Sequence, residues 1–234
     1  MKLQYLGDVR DAFKWDLLHW ICTRAEPPFG RLLFVPILTA DDIVPRDGRI
    51  THLRFECRSE IRSLIDSLAG YPRSFEPLHT LGHIRNPHFE VALYRPKHAI
   101  ESGVRRHAYW SEIGSFLTRD TLVFLDPDNG FETRTCRGTK WVRHREVQEL
   151  LSHAGGVAVY QHRPLQPWAQ IFSQLSAQLH YATYAAAAYE ENLAFIVLAQ
   201  AEGAANRVRG AMQSYVAGHG VVHFCNSCRH YPIS

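Results

Sequence analysis

Two aspartates and an asparagine fall within the run Thr-Leu-Val-Phe-Leu-Asp-Pro-Asp-Asn-Gly at residues 121–130, as Asp126, Asp128 and Asn129. Carboxylates so placed can accept hydrogen bonds from an amine, move a proton, or ligate a divalent cation. The same residues also suit an ordinary turn chosen for its backbone angles. A plain turn, however, does not need two acids and an amide.

A second polar group, Gln161-His162-Arg163, again follows an apolar run. If the strands before the two groups are neighbours, His162 can reach Asp126 or Asp128. Such a contact would raise its imidazole toward a neutral-pH acid or base, or let the three share a metal. A hydrogen-bonded structural histidine is the competing account.

A third group, Gly7-Asp8-Val9-Arg10-Asp11-Ala12-Phe13-Lys14, sets two acids and a lysine at a helix start. Asp8 can cap that helix, and Asp11 can pair with Lys14 on the surface, three residues apart. Equally, a lysine one turn into a helix behind a Gly-Asp corner can hold a phosphate or carboxylate. Finally, Arg134, Arg137, Lys140, Arg143 and Arg145 occupy residues 134–145 without an acid, with Trp141 among them. Such a segment attracts phosphates and offers a ring to a base, unless it is only a solvated loop.

These groups need rigid elements to hold them. Residues 122–125 and 156–161 read as short strands buried on both faces, and residues 32–38 as a third, broken late by Pro36. Helical spacing appears from Asp8 to about Arg24, over 58–69, 106–117, 146–153, 167–179 and 202–216. Residues 181–189 and 193–199, joined by Glu190-Glu191-Asn192, predict a hairpin. The sum is a Rossmann-like α/β fold: a mostly parallel sheet, helices on both faces, and an antiparallel C-terminal hairpin. We expect one domain over 1–234, with an insertion or subdomain at about 70–103 holding a strand near 89–94. In such sheets the carboxyl edge binds ligands, and that is where the polar groups fall.

At 234 residues and 46% hydrophobic content the chain can bury a large core, and a net charge of +3 neither requires nor excludes a polyanionic partner. The amino-terminal residues lack the apolar stretch of a signal peptide and no run is long enough to span a bilayer, so a cytoplasmic location and no membrane partner are expected. Five cysteines do not make a disulfide framework. Cys225 and Cys228 with His219, His223 and His230 offer zinc ligands but lack a second cysteine pair, so a strand carrying Val221, Val222 and Phe224 is the alternative.

Taken together, Tyr5 to Lys14, the Thr39-Ala40-Asp41-Asp42 and Asp47-Gly48-Arg49 loop, Leu125 through Gly130, Lys140-Trp141-Val142, Tyr160-Gln161-His162 and Val222-His223-Phe224 resemble a bacterial protein family sharing these motifs. At greater distance the chain is similar to Rossmann-like S-adenosylmethionine-dependent methyltransferases of nucleobase amines, including the bacterial adenine-N6 enzyme of large-subunit ribosomal RNA. There an Asn-x-x-Asp-x-x-x-Lys-type segment precedes the core and Asp-Pro-Pro-Tyr follows the fourth strand; Gly7–Lys14 and Asp126–Asn129 stand in the matching places. Two departures are visible. Thr39-Ala40-Asp41-Asp42 replaces the glycine-rich turn after the first strand, and Asn129 replaces the stacking aromatic, leaving Phe131 as the nearest ring.

The resemblance implies S-adenosylmethionine as cofactor, bound by Asp8, Asp11, Lys14 and Asp41, with Asp126 accepting from the reacting amine and Asn129 orienting it. Asp128 and His162 complete the expected catalytic group. Arg137, Lys140, Trp141, Arg143 and Arg163 would hold a nucleic acid or nucleotide-like substrate. Two alternatives remain: a nuclease or phosphodiesterase with a divalent metal on Asp126, Asp128 and His162, and a non-catalytic binding protein on the same fold.

Overall fold

The computed structural model describes residues 1–39, 56–94, 104–162, 166–179, 182 and 184–226. Seven strands form one sheet in the order β2-β1-β3-β6-β8-β7-β9, where β1 is Arg31–Pro36, β2 Glu90–Leu93, β3 Thr121–Asp126, β6 Gly156–His162, β7 Tyr184–Tyr189, β8 Leu193–Ala199 and β9 His223–Asn226. β2, β1, β3 and β6 are parallel; β8, β7 and β9 continue the sheet through antiparallel pairings. The fold is thus Rossmann-like, with the reversal of direction between β6 and β8.

Side chains alternate across this sheet, as the period of two in a strand requires. Leu32, Phe34, Leu122, Phe124, Ala158 and Tyr160 enter one core with helices α1 (Val9–Arg24), α2 (Ser59–Leu68) and α6 (Glu202–Ala217). Leu33, Val35, Val123, Leu125, Val157 and Val159 enter the other, under α3 (Val104–Ser111), α4 (His144–His153) and α5 (Trp168–Gln178). Every residue of β3 is buried, which explains its unbroken apolar sequence before Asp126.

Residues 76–93 pack onto the sheet through a 3-10 helix (Glu76–His83) and β2, the edge strand beside β1. The helix expected over 106–117 is instead α3, ending at Ser111, followed by a 3-10 turn at Ile113–Phe116. Sequence spacing also does not resolve a small parallel pair, β4 (Gly130–Phe131) with β5 (Trp141–Val142), at the end of the Asp-Pro-Asp-Asn turn.

β2 and β3 flank β1 on opposite sides, so the connections leaving the carboxyl ends of β1 and β3 run in opposite directions. This is the switch point at which a crevice opens in α/β sheets. Pro36 and Asp126 stand in register there, and the Ile37 amide donates to the Asp126 carbonyl at 3.3 Å. Among the described residues no helix is long and apolar enough to cross a membrane.

Candidate functional site

Strand parity decides which groups share the crevice. Asp126 continues the face of Leu122 and Phe124, and His162 that of Ala158 and Tyr160, so both point to the side covered by α1. α1 begins directly above them because Asp8 caps it, its Oδ1 accepting from the amides of Arg10 (2.9 Å) and Asp11 (3.3 Å). Gly7 makes this approach possible: at φ +82° it lies so close to α2 that a Cβ would be 2.5 Å from the Ala69 nitrogen.

One turn into α1, Lys14 reaches between two carboxylates. Its Nζ donates to Asp11 Oδ1 at 2.5 Å and to Asp126 Oδ2 at 2.8 Å, while Asp11 Oδ2 accepts from the Gly7 amide at 2.7 Å. The Asp11–Lys14 pair is therefore not on the surface as its spacing suggested: Lys14 is 4% exposed and Asp11 2%. Burial opposes the ammonium charge, but Asp11 and Asp126 outweigh it and hold Lys14 protonated well above the usual lysine range. Burial raises the Asp126 carboxyl, with Lys14 opposing.

Asp128 faces another cation. The Met1 ammonium approaches Asp128 Oδ1 at 2.6 Å and donates to the Ile37 carbonyl at 2.6 Å, and Thr39 Oγ1 donates to Asp128 Oδ2 at 2.5 Å. Burial lowers that amine's pKa, against the pull of Asp128. At Asp8, burial and then repulsion from Asp11 outweigh the opposing Lys14 and Arg10 and push its carboxyl up to about 6.

His162 departs from expectation. β3 and β6 are indeed neighbours, but the imidazole Nε2 lies 3.2 Å from the Tyr160 hydroxyl, and burial, followed by the charges of Arg10 and Lys14, lowers it to about 3. It is neutral near pH 7, the opposite of the elevated imidazole that a carboxylate contact would give. With Asp126 turned to Lys14 and Asp128 to the amino group, the acids are neutralised by nitrogen cations. Correspondingly, no group of three or more His, Cys, Asp or Glu side chains is placed to hold a metal among the described residues.

These groups line a cleft of about 70 Å³ that also takes in Tyr5, Arg10 and Tyr160. Sequence reasoning misses Arg10 and Tyr160, although the face-alternation of β6 is a signal that could have found Tyr160. Asp41, Asp42 and Arg163, and Cys228 and His230 of the possible zinc tail, lie outside the described residues. Cys225 is on β9 with a free thiol.

Gln161 has the opposite parity from His162 and does different work. Its Oε1 accepts from the Phe131 amide at 2.9 Å, and its Nε2 donates to the carbonyls of Asn129 (3.0 Å) and His162 (2.9 Å). The amide thereby ties the Asp-Pro-Asp-Asn turn to β6. Beyond that turn, Arg134, Arg137, Lys140 and Arg145 are exposed, whereas Trp141 and Arg143 are half-buried. The excursion is pinned from beneath by Arg106, which is 1% exposed. Arg106 pairs with Glu146 (2.6 and 2.7 Å) and donates to the Trp141 carbonyl at 2.8 Å. No protein-family model, curated protein or solved structure matches the chain.

Proposed function

We propose that the protein is a Rossmann-like group-transfer enzyme of the methyltransferase type, acting on an amine-bearing, nucleotide-like substrate. One observation carries this reading. The Gly7–Lys14 segment and the Asp126–Asn129 turn, the two places where the sequence resembles nucleobase methyltransferases, meet at the switch point through a buried Lys14–Asp126 ion pair spanning 112 positions.

The residues present fit the polar end of S-adenosylmethionine. Asp8 offers a carboxylate to an ammonium or ribose hydroxyls, and the cleft's 70 Å³ suits a small polar group rather than the whole molecule. Bound there, the donor would supply an electrophilic methyl group. Lys14 acts as a positioning residue that fixes the Asp126 carboxyl. Asp126 would hold an amine by accepting its N–H, and Asp8, pushed up to about 6, can hold or release a proton near neutral pH. Neutral His162 offers a hydrogen bond, not a charge.

Calorimetric titration with S-adenosylmethionine, followed by labelled-methyl transfer to nucleosides, tests the reading. Heat on titration that Asp8→Ala weakens at least tenfold is the expected result. No heat, and no transfer to any amine-bearing nucleoside, would sink it.

A further inference from the structure

Opposite the cleft, across the Asp126–Phe131 turn, lies a groove of about 680 Å³ between residues 131–136 and α5, a volume suited to an organic ligand. Its floor is apolar, made by the buried side chains of Phe131, Ile171 and Leu175. Its rim carries the exposed amides of Gln166, Gln174 and Gln178, with Arg134 at the loop side.

Two features distinguish this surface from an ordinary helix face. The exposed side of a helix usually carries charges. Yet from Pro164 to Tyr189 the chain contains no Asp, Glu, Lys or Arg, and α5 shows solvent a row of glutamines instead. The facing loop brings Arg134 to the groove and continues into a cationic stretch without an acid over residues 134–145. An apolar floor suits the face of a base, amides that both donate and accept suit base edges, and cations suit phosphates. A single-stranded polynucleotide presents all three at once.

We infer that this groove binds a single-stranded polynucleotide, with Gln166, Gln174 and Gln178 against base edges and Arg134, Arg137 and Lys140 against the backbone. Gln161 forms part of the groove wall while the next residue, His162, lines the cleft. Successive residues of β6 face opposite sides of the sheet, so the groove and the cleft lie on opposite faces at the end of this strand; that a polynucleotide held in the groove is the substrate of the cleft rests on the function proposed above. Binding in the groove does not depend on that function.

Fluorescence anisotropy with labelled single-stranded homopolymers of about a dozen nucleotides, as RNA and as DNA, tests this. The wild-type protein should bind at low salt and prefer some bases over others. Arg134→Ala/Arg137→Ala should weaken all homopolymers alike and lower the log–log salt slope by about 0.7 for each phosphate that is no longer neutralised. Gln166→Ala/Gln174→Ala/Gln178→Ala should leave that slope unchanged but alter the ratio of affinities between homopolymers by about fivefold or more. All three glutamines are exposed, so a thermal melt matching wild type confirms that the variant is folded. No low-salt binding, equal binding of an acidic peptide of matched charge, or an unchanged base preference in the glutamine variant would each overturn the inference. Oligomer binding without methyl transfer leaves the groove standing and removes the enzyme reading; transfer to a free nucleoside without oligomer binding does the reverse.

Discussion

Lys14 is the residue on which the site turns. Removing one partner of a buried charge pair leaves the other uncompensated and costs about 3–5 kcal/mol. Lys14→Met, which strands Asp11 and Asp126 together, should lose about that much in urea unfolding. Adding Asp126→Asn should recover at least about 1 kcal/mol, because the two changes share one interaction. Equal or greater destabilisation in the double variant would mean that the pair contributes little. Protonation effects at the site oppose one another. Asp8 is raised to about 6 from an ordinary 3.8, so its contribution to stability is full below about 3.8 and is lost as pH rises through about 6. His162, lowered to about 3, contributes above its ordinary 6.5, and that contribution is lost as pH falls through this value toward 3. Asp8→Asn keeps the helix cap and removes only the first effect, so it should gain stability relative to wild type at pH 7 but not at pH 4. An NMR titration of His162 should show no transition between pH 5 and 8. Lys14 and Asp11 could be paired from their spacing alone, but their burial could not, because it depends on Asp126 arriving from another element.

The turn after β3 is held by packing as much as by its own residues. Gly130 has φ +115°, and a Cβ there would lie 2.1 Å from Gln161 Oε1. Gly130→Ala should therefore destabilise through both backbone strain and collision, and Gln161→Ala should rescue only the collision. Thermal melts of the two single variants and the double variant separate these contributions; complete rescue would show that the backbone is relaxed. Beneath the cationic loop, Arg106→Ala should cost about 3–5 kcal/mol by isolating Glu146, and should speed amide exchange at Arg143, whose N–H donates to Glu146 Oε2 at 2.9 Å. The longer strands of the main sheet and most helices were legible from their apolar runs and helical spacing, whereas the two-residue strands β4 and β5 were not. Arg106 was not: nothing in the Arg105-Arg106 pair announces that the second arginine will be buried under a loop thirty or more residues away. Likewise, the 14 histidines gave no means of telling that His162 would face a tyrosine rather than an acid.

At the scale of the molecule, the sequence indicated a parallel sheet ending in an antiparallel hairpin, and the sheet has that form. Strand order was beyond it, since β8 enters beside β6 ahead of β7 only through long-range pairing. That order has a consequence for how the chain comes off the ribosome. All the described cleft residues are synthesised by His162, yet the outer edge of β6 remains unpaired until β8, more than thirty residues later, can add its hydrogen bonds. A nascent chain arrested at this stage presents an apolar strand edge of the kind that nucleates association between chains. Fragment 1–162 should accordingly precipitate or be held by chaperones, whereas 1–199 should remain dispersed to a markedly greater degree in a sedimentation assay. Equal solubility of the two would show that the edge is otherwise protected. The hairpin contributes few groups to the chemistry; its role is that of a late-arriving guard on the strand that carries His162.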